Sequence, residues 1–422
     1  MRAPTASDFP QANLWAVIQQ RPVGQGGLCV GALGSRHDTL NWVYDCGSNQ
    51  SDVLTAEIAR VPQTLDFLFV SHLDDDHVSG LDRLLRGRTV KEAVLPYLTD
   101  EVRLLVAADA LSRNRFTGAL SEFLGDAAGW LRNRGVERVT FVSWPEEGGG
   151  AGGPDLPEVG PPGDGPLHAK WQPSSDSKMP GISHAPPGAA LVVASEAAAA
   201  GRGGGPIDYL FIPHVHPPRP ALMQAFQVEL TRRFPGKTSR EIANMVRPDQ
   251  GQIDQERIDE VLTDLRACYD ELWSDHNLIS MSLYAGPTGA GKPWITSGSE
   301  RCWWEYEHTF LGWHEMSPGW ISTGDASFEA KTRRQSFNRA YSKVGHQVGV
   351  LVTPHHGAAS SWHADILTTT PMLDVGLAAA GKNGYGHPHD LVRDDILRHG
   401  AHFHQVSEAA DSAYVLSAWA PV

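Results

Sequence analysis

Ser71-His72-Leu73-Asp74-Asp75-Asp76-His77 follows directly on the apolar run Phe67-Leu68-Phe69-Val70, and these two stretches together decide the fold. Four apolar residues in succession fit a strand buried on both faces. Two histidines and three carboxylates then fall within six positions, where such a strand ends and its loop is held rigidly. Imidazole and carboxylate are the groups that zinc, manganese and similar divalent ions accept as ligands. A single His-Asp cluster is more often a solvated turn; here the flanking sequence reverses that reading.

Upstream, Leu14 to Gln19, Leu28 to Leu33 and Asn41-Trp42-Val43-Tyr44 have strand character, the last running into Asp45-Cys46-Gly47. Downstream come a helix from about 79 to 86, the strand Ala93-Val94-Leu95-Pro96, helices between 100 and 134, and the strand Val139 to Val142. Strands separated by helices predict an α/β layered fold. Residues 146–206 break this pattern with Gly148-Gly149-Gly150, Gly203-Gly204-Gly205 and abundant Pro and Ala, and are expected to be a dispensable insertion without regular structure. Ile207 to Ile212 returns to a strand. Between 213 and 275 the apolar positions Ile258, Val261, Leu262, Leu265, Tyr269 and Leu272 recur every three or four residues, which predicts a helical insertion, a candidate lid or partner-binding element. The expected division is therefore 1–145, 146–206, 207–275 and 276–422, with strands at 320–323, 348–352, 375–379 and 414–416 and helices at 327–343 and 390–399 in the last part.

The 422 residues suffice for a large core, and a net charge of −14 argues against whole-surface binding to nucleic acid. Cys29, Cys46, Cys268 and Cys302 are widely spaced without a CxxC pair and read as reduced core residues. The opening residues lack the apolar segment of a secretory signal, and no run of 18 apolar residues occurs, so a soluble cytoplasmic protein with no membrane partner is expected.

Polar clusters recur at the ends of several predicted strands: Asp45, His72 to His77, His276-Asn277, Asp325, His355-His356 and Gly386-His387. Loops at one edge of an α/β scaffold converge, which predicts a shared metal site. In order along the chain, Val23-Gly24-Gln25-Gly26, Tyr44-Asp45-Cys46-Gly47, Ser71-His72-x-Asp74-x-Asp76-His77-x-x-Gly80, Thr323-Gly324-Asp325, Pro354-His355-His356-Gly357 and Tyr385-Gly386-His387-Pro388 resemble the motifs of the metallo-β-lactamase fold. As a set they are most similar to the soluble hydrolase domain of the ComEC DNA-uptake family, over residues 13–145 and 276–416.

The resemblance implies an αββα sandwich and two divalent ions, zinc or manganese with magnesium possible. By the same likeness His72 and Asp74 would bind one ion, Asp76 and His77 the second, and Asp325 both. His356 would complete the second site and His355 would face substrate; the reverse assignment stays open, as does His276 as a further ligand. Asp45 would hold a ligand histidine by its far nitrogen. Aspartate at position 74, where the wider fold has histidine, hardens the donor set toward manganese or magnesium. Two ions about 3.5–4 Å apart would lower the pKa of a shared water, Asp76 would orient it, and His387 would contact the phosphate or protonate the departing oxygen.

The expected function is metal-dependent hydrolysis of a phosphodiester, with nucleic acid the favoured substrate class. A run of five basic residues from Lys331 to Lys343, Lys331, Arg333 and Arg334 foremost, would guide a polyanion if it is not simply a solvated face. The rivals are a small-molecule ester, lactone or cyclic-nucleotide hydrolase and a non-catalytic metal-binding sensor or assembly module. Two motifs are set aside. Gly286 to Lys292 opens like a phosphate-binding loop, but Pro293 stands where Ser or Thr is needed. His214-Val215-His216 has ligand-like spacing but lies among prolines and reads as a loop.

Overall fold

The computed structural model of the chain describes residues 12–115, 118–145, 153–160, 165–174, 176–196, 205–245, 255–270, 279–289, 294–297 and 316–421. Strands β1 (Ala12–Gln20), β2 (Cys29–Ser35), β3 (Thr39–Tyr44), β4 (Thr64–Phe69), β5 (Thr89–Pro96) and β6 (Val136–Val142) lie side by side in that order. The first three pair antiparallel, and β3 to β6 pair parallel through helical crossovers. β7 (Leu167–Gln172), β10 (Ala190–Ser195), β11 (Gly205–His216), β12 (Ser280–Gly286), β14 (Gly319–Ser322), β15 (Val348–Val352), β16 (Val375–Ala379) and β17 (His402–Val406) form a second sheet of eight. The first sheet is completed to ten by β8 (Asp176–Met179) and β9 (Ile182–Ala185) beyond β6, and by β18 (Tyr414–Pro421) and β13 (Ile295–Ser297) beyond β1.

The two sheets face each other. In β3 and β4 alternate residues Trp42, Phe67 and Phe69 point between the sheets and meet Phe211 of β11, with Trp42 edge-on to Phe211 at 5.7 Å. The intervening Val43 and Leu68 point outward onto α1 (Ser51–Ile58), α3 (Leu81–Leu85), α5 (Gly118–Gly125) and α6 (Ala127–Arg132). On the far side Ile321 and Leu351 pack under α10 (Lys331–Tyr341) and α11 (Asp390–His399) through Phe337, Tyr341 and Ile396. Strands covered on both faces explain the unbroken apolar runs, and the layers are helix, sheet, sheet, helix.

The expectation that 146–206 lacks structure is corrected. β7 to β10 lie inside it and extend both sheets, with Leu167, Trp171, Leu191 and Val193 in the core between them. Trp171 Nε1 donates to buried Glu92 Oε1 on β5 at 2.8 Å. Averaging composition over the whole segment hides the alternation Leu167, Ala169, Trp171 of β7. His214 and His216 also depart from their expected loop: both are buried on β11, paired with Ser282 and Ser280 of β12. Pro213 is tolerated there because β10 pairs with β11 only as far as Phe211, so its missing N–H breaks no described ladder on that side.

The helical segment forms α7 (Pro220–Arg233), α8 (Ser239–Met245) and α9 (Gln255–Asp270). Its apolar face, including Phe226, Leu230, Val261, Leu265 and Tyr269, covers Leu104, Leu105 and Ala108 of α4 (Asp100–Ser112). That face is thus used within the chain. Cys29, Cys46 and Cys268 are buried free thiols; Cys302 lies outside the described residues.

Candidate metal centre

Asp45 leaves β3 with a left-handed backbone (φ 59°) and donates its N–H to Phe69 O at the end of β4. Its carboxylate then takes the N–H of Ser71 on Oδ1 at 2.7 Å, and the Ser71 hydroxyl at 2.6 Å and His77 Nδ1 at 2.8 Å on Oδ2. A ring that donates from Nδ1 turns its Nε2 lone pair the other way, and His77 Nε2 lies 3.1 Å from Asp325 Oδ1. His77 belongs to the short helix α2 (Asp75–Val78), which packs against Gly47; a Cβ at Gly47 would stand 2.5 Å from the backbone of His77. Glycine in Asp45-Cys46-Gly47 is therefore a requirement of close approach.

From the second sheet, Gly324 adopts a left-handed turn (φ 55°) after β14, and Asp325 N donates to Ser280 Oγ at the start of β12. His355 and His356 follow β15 in a 3₁₀ turn, both left-handed at φ 47° and 56°. Non-glycine residues in that region cost about 1–3 kcal/mol each and mark positions where geometry is imposed. His356 Nδ1 contacts Ala379 O at 2.8 Å, which sends Nε2 toward Asp76 Oδ2 at 3.2 Å. His355 Nε2 stands 3.7 Å from Asp325 Oδ2 and its Nδ1 3.2 Å from Ser361 Oγ.

Two groups of donor atoms result, His72 with His77 and Asp325, and Asp76 with His77 and His356, each within 4.8 Å of one another. His72 Nε2, His77 Nε2 and Asp325 Oδ1 are buried without a hydrogen-bond partner. Buried polar atoms seldom go unsatisfied. Three imidazole and carboxylate atoms that converge and are all orphaned have the chemistry of a cation cradle, and they fit a divalent ion.

The electrostatics agree. Burial would push the Asp325 carboxyl up, yet His355, His77, His72 and His356 around it hold it well below its usual range. Burial alone would lower His77, but Asp325 and Asp45 hold it well above the ordinary imidazole value. The carboxylates and the converging rings thus each favour the charged form of the other.

The remaining candidates are placed differently. Asp74 joins neither donor group; its Oδ2 is 3.3 Å from Arg113 Nη1, and burial raises its carboxyl. His387 sits edge-on to His355 at 5.4 Å, and burial, then His355 and His356, push it down to about 4. His276 lies outside the described residues. The basic helix is not an open cationic track. Arg333 is buried and donates to Pro217 O and Ser327 O. Arg334 pairs with Asp365 and donates to Phe328 O, while Lys331 is exposed. The opening of the phosphate-loop-like stretch is fastened instead by Thr288, whose N–H and hydroxyl both reach Asp208 Oδ1.

Ser71 and Arg113 escape sequence reasoning. A serine before a histidine motif and an arginine at a helix end carry no spacing signal, and only the fold brings them to Asp45 and Asp74.

Residues 36–171 match the metallo-beta-lactamase superfamily model. The chain carries a domain of that superfamily, a hydrolase fold whose members usually bind divalent metal ions. It is similar to Ribonuclease BN of Escherichia coli O139:H28 (strain E24377A / ETEC) and of Shigella boydii serotype 18 (strain CDC 3083-94 / BS512), each 30% identical over 113 residues. Ribonuclease BN of Escherichia coli O7:K1 (strain IAI39 / ExPEC) is 31% identical over the same length. Each match covers 26% of this chain and 37% of the relative. Among the described residues no helix is long and apolar enough to cross a membrane.

Proposed function

We propose that the protein is a metal-dependent phosphodiesterase, with nucleic acid as its substrate class. The observation that carries this is the convergence of orphaned His72 Nε2, His77 Nε2 and Asp325 Oδ1. His72 and Asp325 would hold one ion and Asp76, His77 and His356 a second, with Asp74 available to the first from its pairing with Arg113. Zinc or manganese suits a set of imidazoles and carboxylates. Bound divalent ions supply Lewis-acid polarisation of a phosphoryl oxygen and acidify water.

The chain's own residues do the rest. Asp45 fixes the ring of His77 through Nδ1, so the ligand atom needs no reorganisation. Asp76, hydrogen-bonded to His356, would orient water at the metal centre. His355 and His387 line the substrate side, and His387, with a buried Nδ1 that has no hydrogen-bond partner, is suited to engage a phosphate or leaving-group oxygen. The likeness to Ribonuclease BN and to the ComEC hydrolase domain favours a nucleic acid.

A second reading, hydrolysis of a small ester, lactone or cyclic nucleotide, is favoured by the engagement of Arg333 and Arg334 within the scaffold. Metal analysis of the purified protein with assays on bis-p-nitrophenyl phosphate, oligonucleotides and lactone esters tests both. Up to two ions per chain and diester hydrolysis lost in Asp325→Ala are expected. Activity on lactones with none on diesters would transfer the assignment to the second reading, and full metal content in Asp74→Ala with Asp76→Ala would refute the proposed ligand set.

A further inference from the structure

Beyond the candidate metal centre, the loop at 381–388 is organised by one side chain. Asn383 Oδ1 accepts the N–H groups of Tyr385 at 3.0 Å and His387 at 3.2 Å, and its Nδ2 donates to Gly381 O and His387 O, both at 2.8 Å. A carboxamide offers two donors and one oxygen with two lone pairs, so all its hydrogen-bonding capacity is spent on this loop. The loop so fixed displays a large aromatic ring: Tyr385 is 68% exposed. The space beside it is open, since a Cβ at Gly384 or Gly386 would meet nothing within 4 Å.

Tyr385 is not an isolated surface ring. It stacks on His387 at 5.7 Å with 29° between the planes, and His387 meets His355 edge-on at 5.4 Å. His355 Nε2 is 3.7 Å from Asp325. Rings thus lead outward step by step from the candidate ions to an exposed aromatic face. A rigid ring loses little conformational freedom when a ligand stacks on it, and every nucleobase has a π face that such a ring can cover.

From this geometry we infer that Tyr385 forms a stacking subsite for the nucleobase flanking the scissile phosphodiester, a specificity determinant that separates nucleotide substrates from simple esters. The inference rests on the phosphodiesterase reading. Stacking on one base corresponds to roughly 5- to 150-fold in affinity.

The test compares thymidine 5′-(4-nitrophenyl phosphate) with methyl 4-nitrophenyl phosphate, which share a leaving group and differ in the base. In Tyr385→Ala the ratio of kcat/KM for the first over the second should fall roughly 5- to 150-fold, mainly through KM, and Tyr385→Phe or Tyr385→Trp should restore it. Fluorescence anisotropy with a dye-labelled phosphorothioate dT10 strand and an abasic counterpart should show the same selective loss at equilibrium. An unchanged ratio, or equal losses on the base-bearing and base-free ligands, would overturn the subsite while leaving the phosphodiesterase reading intact. Absence of wild-type hydrolysis of either diester would overturn that reading and the subsite with it.

Discussion

Arg113 Nη1 lies 3.3 Å from Asp74 Oδ2, so a carboxylate of the central cluster that joins neither donor group is held by a guanidinium. Arg113 is itself fixed: it reaches Asp109 at 3.0 Å and shares a hydrogen bond with Tyr269 of α9. The helical segment 220–270 is thereby connected to the rim of the candidate ion site.

Replacing Arg113 by Met removes a cation beside that site and releases Asp74 toward His72. Divalent-ion affinity should rise on the order of 3- to 30-fold, since a unit charge a few ångströms away weighs on a dication even at high effective dielectric. Competition against a chromophoric chelator measures it. Unchanged affinity would mean that the pairing does not tune the ions.

Asp45→Asn keeps the shape of the side chain but removes the anion that accepts from Ser71 and His77. Metal affinity should fall about 10- to 100-fold with little loss of secondary structure. Metal content after dialysis against a buffered chelator, alongside circular dichroism, separates this from misfolding. Retained affinity would show that His77 needs no such support.

Trp171→Ala should destabilise the protein by about 3–5 kcal/mol, the range for emptying a buried aromatic site, and leaves Glu92 without its indole donor. Chemical denaturation reads the change. A neutral result would return 146–206 to the status of a dispensable insertion.

Buried His214 and His216 give an expected pH dependence. Burial, then Arg339, pushes His214 down to about 4, and burial, then His214 and Arg333, holds His216 well below its ordinary value. The unfolded chain takes up these protons near pH 6.5 while the folded chain resists, so their contribution is complete above pH 6.5 and is lost as pH falls below it. Each costs about 1.4 kcal/mol per pH unit in that window, or roughly 4 kcal/mol for the pair at pH 5. Denaturation midpoints at pH 7.5 and 5.0 should therefore converge in a His214→Gln, His216→Gln variant relative to wild type. A difference of the same size in both proteins would exclude these two rings as its source.

The layered architecture was legible because strands such as β4 are buried on both faces and write themselves as apolar runs. Asp45, Asp76, His77, Asp325 and His356 were legible as a group because each follows a strand end, and strand ends of this fold meet at one edge. What escaped reading depended on partners distant in sequence. Arg333 and Arg334 look free until Pro217, Phe328 and Asp365 are brought beside them. Trp171 looks like part of a loose segment until Glu92 is placed opposite its ring nitrogen. Pro213 disguised a strand because the gap beside it is a property of β10, whose pairing with β11 reaches only to Leu191 opposite Phe211.

The left-handed pair His355 and His356 carries a consequence for evolution and engineering. L-residues hold this conformation at a cost of about 1–3 kcal/mol each, and glycine would relax it. On the proposed reading, a variant with glycine at 355 would be the sturdier molecule and the poorer catalyst. Selection for heat resistance alone would favour glycine here, so on the proposed reading the two histidines trade stability for chemistry.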